Sequence, residues 1–339
     1  MSRYPGGLIR KTPVTPAGPF QCGAATGVWT LAEAAFWTKQ GLWPTAGNVE
    51  TSTFAIFALG LVCGLGVTTR NKYTYSGCAV SAGGAATTGS GFNSAAGNST
   101  VGIFALGFTT VIVTTRDKYT YSGCAVSAGG AATAASRLSS AAGNSTVGIF
   151  ALGYVSCVNS TTRNKYTYSG CVVSAGTAAT AASRSGSATG NSTVGIFALG
   201  NTCGASTTRD KYTYSGCTVS AGGAATVVSQ AGSAAGNSTV GIFALGADTG
   251  FASLTTRNKY TYSGCTVSAG GAATAASRSG SAAGNSTVGI FALGVVSCAA
   301  STTRNKYTYS GCVVSAGGAA TAASLFGSAA SNGTTGVNM

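Results

Sequence analysis

"TTRNKYTYSGCTVSAGGAATAASRSGSAAGNSTVGIFALG", residues 255–294, is one copy of a unit that repeats through most of the chain. Its closing phrase "IFALG" begins at Ile56, Ile103, Ile149, Ile196, Ile242 and Ile290, a period of 46–48 residues. The phrase "YTYSGC" recurs unaltered from Tyr73, Tyr119, Tyr166, Tyr212, Tyr260 and Tyr307. Self-similarity at this period belongs to solenoids or propellers. The unit holds no amphipathic stretch of ten or more residues, which excludes helical repeats. It holds short runs rich in Thr, Tyr, Val, Ile and Phe, punctuated by Gly, Asn and Ser, which read as strands and turns.

Four strands fit each unit. "RSGSAAG" is made of small residues and suits an inner strand crowded near an axis. "STVGIFALG" is apolar on both alternating faces, as in a strand sandwiched between neighbouring sheets. "TTRNKYTY" alternates, with Tyr260 and Tyr262 on one side and Arg257, Lys259 and Thr261 on the other. "CTVSAG" is a short outer strand. The repeats begin at a second strand, "STFAIFALG" (52–60), and finish on an inner strand, "GSAASNG" (327–333). The two ends are therefore expected to share one blade. The expectation is an all-β chain: a six-bladed β-propeller over 46–339, closed by its C-terminal strand, with a short N-terminal arm and helix over 1–45. A seventh blade begun by "TTGVNM" would lack its outer strands.

Composition narrows the function. Charged residues are 7% of the 339, against roughly 25% in average proteins. There is no histidine, and the acids are Glu33, Glu50, Asp117, Asp210 and Asp248. Histidine-based triads, histidine metal ligands and repeated carboxylate pairs are thereby excluded. We expect no enzyme, no metal and no cofactor. No apolar run reaches the ~20 residues of a membrane span, and the start has no apolar core of the kind a secretion signal needs. Synthesis and folding in a cytoplasm, with free thiols, are expected.

Two stretches resemble known proteins. "KYTYSGCTV" and "SRSGSAAGNSTVGIFALG" resemble the kelch repeat, although the kelch double glycine and outer-strand tryptophan are not kept. "GVWTLAEAAFWTKQGLWP" (27–44) is similar to a segment near the start of many tailed-phage virion proteins, and arrays reading "YTYSG…AAGNSTVGIFALG" are similar to those in phage structural proteins. The resemblance implies a virion protein, made in a bacterial cytoplasm. It would be tail-associated, as a fibre, nozzle or adaptor component, or else a capsid decoration protein. A carbohydrate-binding, lectin-like propeller is the third reading. The resemblance gives Trp29, Leu31, Phe36, Trp37 and Trp43 to attachment onto other virion proteins. Taken alone, Thr30 and Glu33 form a capping box for a helix over 31–40, which could equally cover the propeller itself.

Several repeated residues are candidates for binding. Two basic residues per unit, Arg70/Lys72, Arg116/Lys118, Arg163/Lys165, Arg209/Lys211, Arg257/Lys259 and Arg304/Lys306, would form a ring of positive charge on a closed propeller. Such a ring could meet an acidic partner: a virion protein, host-surface phosphate or an anionic glycan. Alternatively, the stems lie between blades and their heads donate to backbone carbonyls. Nucleic acid is disfavoured, because the tyrosines occupy the opposite strand face. Homo-oligomers remain open.

The six cysteines of "YTYSGC" read as small buried groups opening the outer strand. Cys63, Cys157, Cys203 and Cys298 follow "IFALG". In a six-membered ring their order directs any oxidation after release from the reducing cytoplasm to the links Cys157–Cys203 and Cys63–Cys298, against the plainer reading of four unrelated loop thiols. One inner-strand position varies through Gly91, Arg137, Arg184, Gln230, Arg278 and Leu325. Its three arginines could bind an anion near the channel or serve structural hydrogen bonds.

Overall fold

The computed structural model describes residues 52–332, and every regular element among them is a β-strand. The helix expected over 31–40, the residues Trp29, Leu31, Phe36, Trp37 and Trp43, and Cys22 lie outside the described residues.

The unit folds as its pattern dictates. Ser233–Gly236, Val240–Ala244, Arg257–Thr261 and Thr266–Ala269 form one antiparallel sheet in that order. The described residues contain six such four-stranded sheets. Their inner strands, Ser94–Gly97, Ser140–Gly143, Ser187–Gly190, Ser233–Gly236, Ser281–Gly284 and Ser328–Ser331, touch one another in that cyclic order. The architecture is thus all-β and β-propeller-like. Small inner residues permit the crowding: Ala95, Ala96, Ala141, Ala142, Ala234 and Ala235 are completely buried.

One sheet is assembled from both ends of the described chain. Phe54–Ala58 lies between Arg70–Thr74 and Ser328–Ser331, with Ala55 opposite Ser331 and Ala58 opposite Ser328. Elsewhere the inner and second strands are joined by an "N-S-T" turn. In that turn Asn98 Oδ1 accepts from the Thr100 and Val101 amides, both at 2.9 Å. In the shared sheet the chain is interrupted at this point, and Asn332 Oδ1 accepts instead from Thr53 N at 2.9 Å and Phe54 N at 3.0 Å. The turn asparagines also bind forward: Asn98 Nδ2 donates to Ser145 O at 3.0 Å, and Asn285 Nδ2 to Ser52 O at 3.3 Å.

Hydrophobic clusters fill the gaps between neighbouring sheets. One contains Ile56 and Ala58 from the shared sheet with Phe104, Tyr119 and Tyr121 of the next. The glycine of "VGIFA" makes this packing possible. A Cβ built on Gly102 would stand 2.7 Å from the Tyr121 hydroxyl and 3.2 Å from Ala330 Cβ. The second tyrosine of "YTYSGC" therefore needs that glycine in its own sheet.

The structure revises the turn inside "YTYSGC". The outer strand begins one residue after the cysteine, and the cysteine takes the left-handed conformation, φ +49° to +53° in all six copies. Cys78, Cys124, Cys171, Cys217, Cys265 and Cys312 are half-buried at the edge of the core clusters rather than fully buried. The left-handed residue that closes this turn is the cysteine and not the glycine before it. Its side chain packs on the tyrosine cluster of the same sheet.

Candidate functional site: the axial bowl and the arginine relay

The arginines of the expected basic ring point inward. Arg70, Arg116, Arg163, Arg209, Arg257 and Arg304 are each 1% exposed. Each stacks on the phenylalanine of the next sheet, as Arg116 does on Phe150 at 4.5 Å, and each donates onward to one side chain there. Arg70 Nη2 reaches Asp117 at 2.8 Å, Arg116 Asn164 at 3.1 Å, and Arg163 Asp210 at 2.7 Å. Arg209 reaches Asn258 at 3.0 Å, Arg257 Asn305 at 3.0 Å, and Arg304 Asn71 at 3.1 Å. The last step returns to the shared sheet, so the relay is cyclic. Each acceptor also takes a threonine amide: Asp117 from Thr87 at 3.0 Å, Asn164 from Thr133 at 3.1 Å.

Among the described residues, only Arg70 and Arg163 of the six meet a carboxylate. Burial lowers the pKa of all six guanidinium groups. Arg116, Arg209, Arg257 and Arg304, served by neutral asparagine, come down to about 10. At Arg70 and Arg163 the aspartate opposes the effect of burial. A solvent-facing ring of charge thus falls to Lys72, Lys118, Lys165, Lys211, Lys259 and Lys306 alone, all half-buried. The Lys72 ammonium lies over the Phe54 ring at 4.3 Å, and Lys165 Nζ is 3.8 Å from Cys217 Sγ of the next sheet.

The variable position forms a separate feature. Sequence places it on the inner strand, but the structure breaks the chain between the two. Ser277–Arg278 is a short strand paired with Val295–Val296, and Ser279, at φ +56°, separates it from Ser281–Gly284. Ser136–Arg137 does the same, setting Arg137 opposite Tyr154. Arg184 bridges Asn201, and Gln230 bridges Ala247. The next residue in every unit, Phe92, Leu138, Ser185, Ala231, Ser279 or Phe326, has φ between +53° and +57°. These residues are linked around the axis: Ser185 N donates to Leu138 O at 2.9 Å, then Ala231 to Ser185, Ser279 to Ala231, and Phe326 to Ser279, each at 2.8 Å.

Together they line an open bowl of about 380 Å³ at one end of the axis. Below it, the axial space narrows to about 30 Å³ between Gly186, Gly232, Gly280 and Gly327. Arg137, Arg184 and Arg278 stand in the wall with Gln230, and Tyr154 and Phe251 reach in from connecting segments. Sequence reasoning named the three arginines but missed Tyr154, Phe92, Phe251 and Phe326. Their signal was departure from the repeat at its least regular positions.

Cys63, Cys157, Cys203 and Cys298 are free and exposed, so neither the Cys157–Cys203 nor the Cys63–Cys298 link is formed. Cys63, Cys157 and Cys298 occupy two-residue hairpin tips with successive positive φ, as at Ser156 (+47°) and Cys157 (+64°). Each thiol therefore rides on the tip of its own hairpin. No group of three or more potential His, Cys, Asp or Glu ligands occurs among the described residues. No described helix is long and apolar enough to cross a membrane. Compared with family models and with curated proteins, the chain matches none.

Proposed function

We propose that the chain is a non-enzymatic structural protein of a tailed-phage virion: a six-bladed, kelch-like β-propeller carried on an N-terminal attachment segment, residues 1–45. Its place is on the tail, as a fibre, nozzle or adaptor component, with the propeller offered to other virion proteins or the host surface. The observation that carries the reading is the near-identity of the units together with the resemblance of 27–44 to virion proteins. Side-chain chemistry supports a scaffold rather than a catalyst. Asp117 and Asp210 are committed to buried arginines, and Asp248 Oδ1 accepts from the Gly250 and Ala252 amides of its own loop, both at 2.9 Å.

Quantitative mass spectrometry of purified particles tests the proposal. A tail component is present in a few to a few dozen copies, and label on it images at the tail. Hundreds of copies would move it to the capsid as a decoration protein. Absence from washed particles would refute a virion role.

A further inference from the structure

The relay arginines and the bowl arginines have the same side chain in opposite circumstances. Each relay arginine gives one Nη to a side chain of the next sheet, while its Nε, like that of Arg137, is buried without a partner among the described residues. Among the described residues, neither Arg137 nor Arg184 donates a side-chain hydrogen bond to protein, and Arg137 Nε is buried with no partner. Their planes are nonetheless held. The Arg137 guanidinium carbon lies 5.3 Å from the Tyr154 ring centre and 5.7 Å from those of Phe92 and Phe108. The Arg184 guanidinium carbon lies 5.0 Å from the same Tyr154 ring centre. Tyr154 thus carries two guanidinium groups from adjacent sheets.

Stacking fixes a guanidinium without using its N–H groups, which leaves the fork available for a planar oxyanion. Guanidinium groups that line an open cavity with no protein acceptor can be completed by a ligand, which gains affinity from those bonds. Arg278 is partly spent, donating to Phe251 O at 2.8 Å and Ser253 Oγ at 3.1 Å. Among the described residues no carboxylate lines the bowl, and Asp248 is turned onto the amides of its own loop. Beside Arg137 the wall is apolar, with the Phe92 and Phe326 ring centres 4.3 Å apart. The volume, near the lower end of the usual ~300–1,000 Å³ for ligand sites, admits a small ring rather than a polymer segment.

We propose that the axial bowl binds a compact, ring-bodied ligand bearing one oxyanion, a carboxylate or a phosphate, with that group held by Arg137 and Arg184 and the ring set against Phe92 and Phe326. This inference rests on the bowl alone and is independent of the virion reading.

Calorimetric titration of the full chain with glucuronate, glucose 6-phosphate and glucose tests it. The two anionic sugars should bind and glucose should not. Their relative affinity tells whether carboxylate or phosphate is preferred. R137Q and R184Q should each weaken binding at least about tenfold, the loss expected for a charge-assisted hydrogen bond. R137K, which keeps the charge without the fork, should recover only part of it. V313T, on the exposed outer strand Val313–Ala316, changes no group of the bowl and should leave affinity unchanged. A melting curve for each variant confirms folding. The proposal is overturned if no anionic sugar binds at millimolar concentration, if glucose binds as well, or if R137Q and R184Q bind as the parent does.

Discussion

Asp117 is the most informative residue to change. It is fully buried and accepts three hydrogen bonds: from Arg70 Nη2 at 2.8 Å, Thr87 N at 3.0 Å and Thr87 Oγ1 at 2.6 Å. Removing one partner of a buried ion pair ordinarily costs about 3–5 kcal/mol, because the other charge is stranded. Asp117→Ala should lose that much, since Arg70 would keep only a long contact to Ala85 O at 3.4 Å. At ~2–4 °C per kcal/mol for a domain of this class, its melting temperature should fall by roughly 6–20 °C. Asp117→Asn should behave differently. At the equivalent place Asn164 already accepts from Arg116 at 3.1 Å and Thr133 N at 3.1 Å, and its Nδ2 donates to Thr133 Oγ1 at 2.8 Å. The hydroxyl reverses its role and every bond survives, so the cost should stay within about 1 kcal/mol. Paired thermal and chemical denaturation of the two variants decides it. If Asn is as damaging as Ala, the relay works by charge and the hydrogen-bond argument fails.

Other outcomes follow from the same structure. Deleting 325–339 removes the inner strand of the shared sheet and should cost far more stability than loss of a loose tail; a truncated chain that melts like the parent contradicts this. Removing 1–45 should leave a soluble, β-rich protein by circular dichroism that fails to enter particles, whereas normal incorporation would make the propeller itself the anchor. Stability should fall with alkali. Burial raises the pKa of all twelve repeat tyrosines above the usual 10, with Tyr119, Tyr166 and Tyr212 pushed up to about 12. A raised folded-state pKa gives stability that is complete below pH ~10 and lost as pH rises towards 12. The lowered arginine values act in the opposite sense over that window, but the tyrosines outnumber them two to one. A melting temperature that is flat or rising from pH 10 to 12 would refute the argument.

Much of the architecture was legible in the unit. Alternation in "TTRNKYTY" and the small residues of "SAAG" gave the strand quartet, because period and size are local properties. The relay was not legible. Asp117 and Asp210 share the repeat position of Asn164 and Asn258, but nothing in the repeat showed that this position serves an arginine one sheet away. A repeat position that tolerates Asn or Asp beside an invariant Arg was the available sign. The turn misled for a local reason: glycine is the usual left-handed residue, and in "SGC" the cysteine takes that role. At the bowl, Arg137, Arg184 and Arg278 stood out within the repeat. Tyr154 and Phe251 did not, since they lie in the segments between second and third strands where the units diverge.

The two ends of the repeat array close one ring by sharing a sheet. Asn332 Nδ2 donates to Thr53 Oγ1 at 3.1 Å across that junction, so cysteines at both places would stand within bonding reach. The measurement is mild oxidation of Thr53→Cys/Asn332→Cys, followed by non-reducing peptide mapping and gel mobility. The account expects an intramolecular 53–332 disulfide in monomeric protein, seen as a faster-migrating band that reverts on reduction. Two free thiols at 53 and 332 after oxidation, or links only between separate chains, would contradict it.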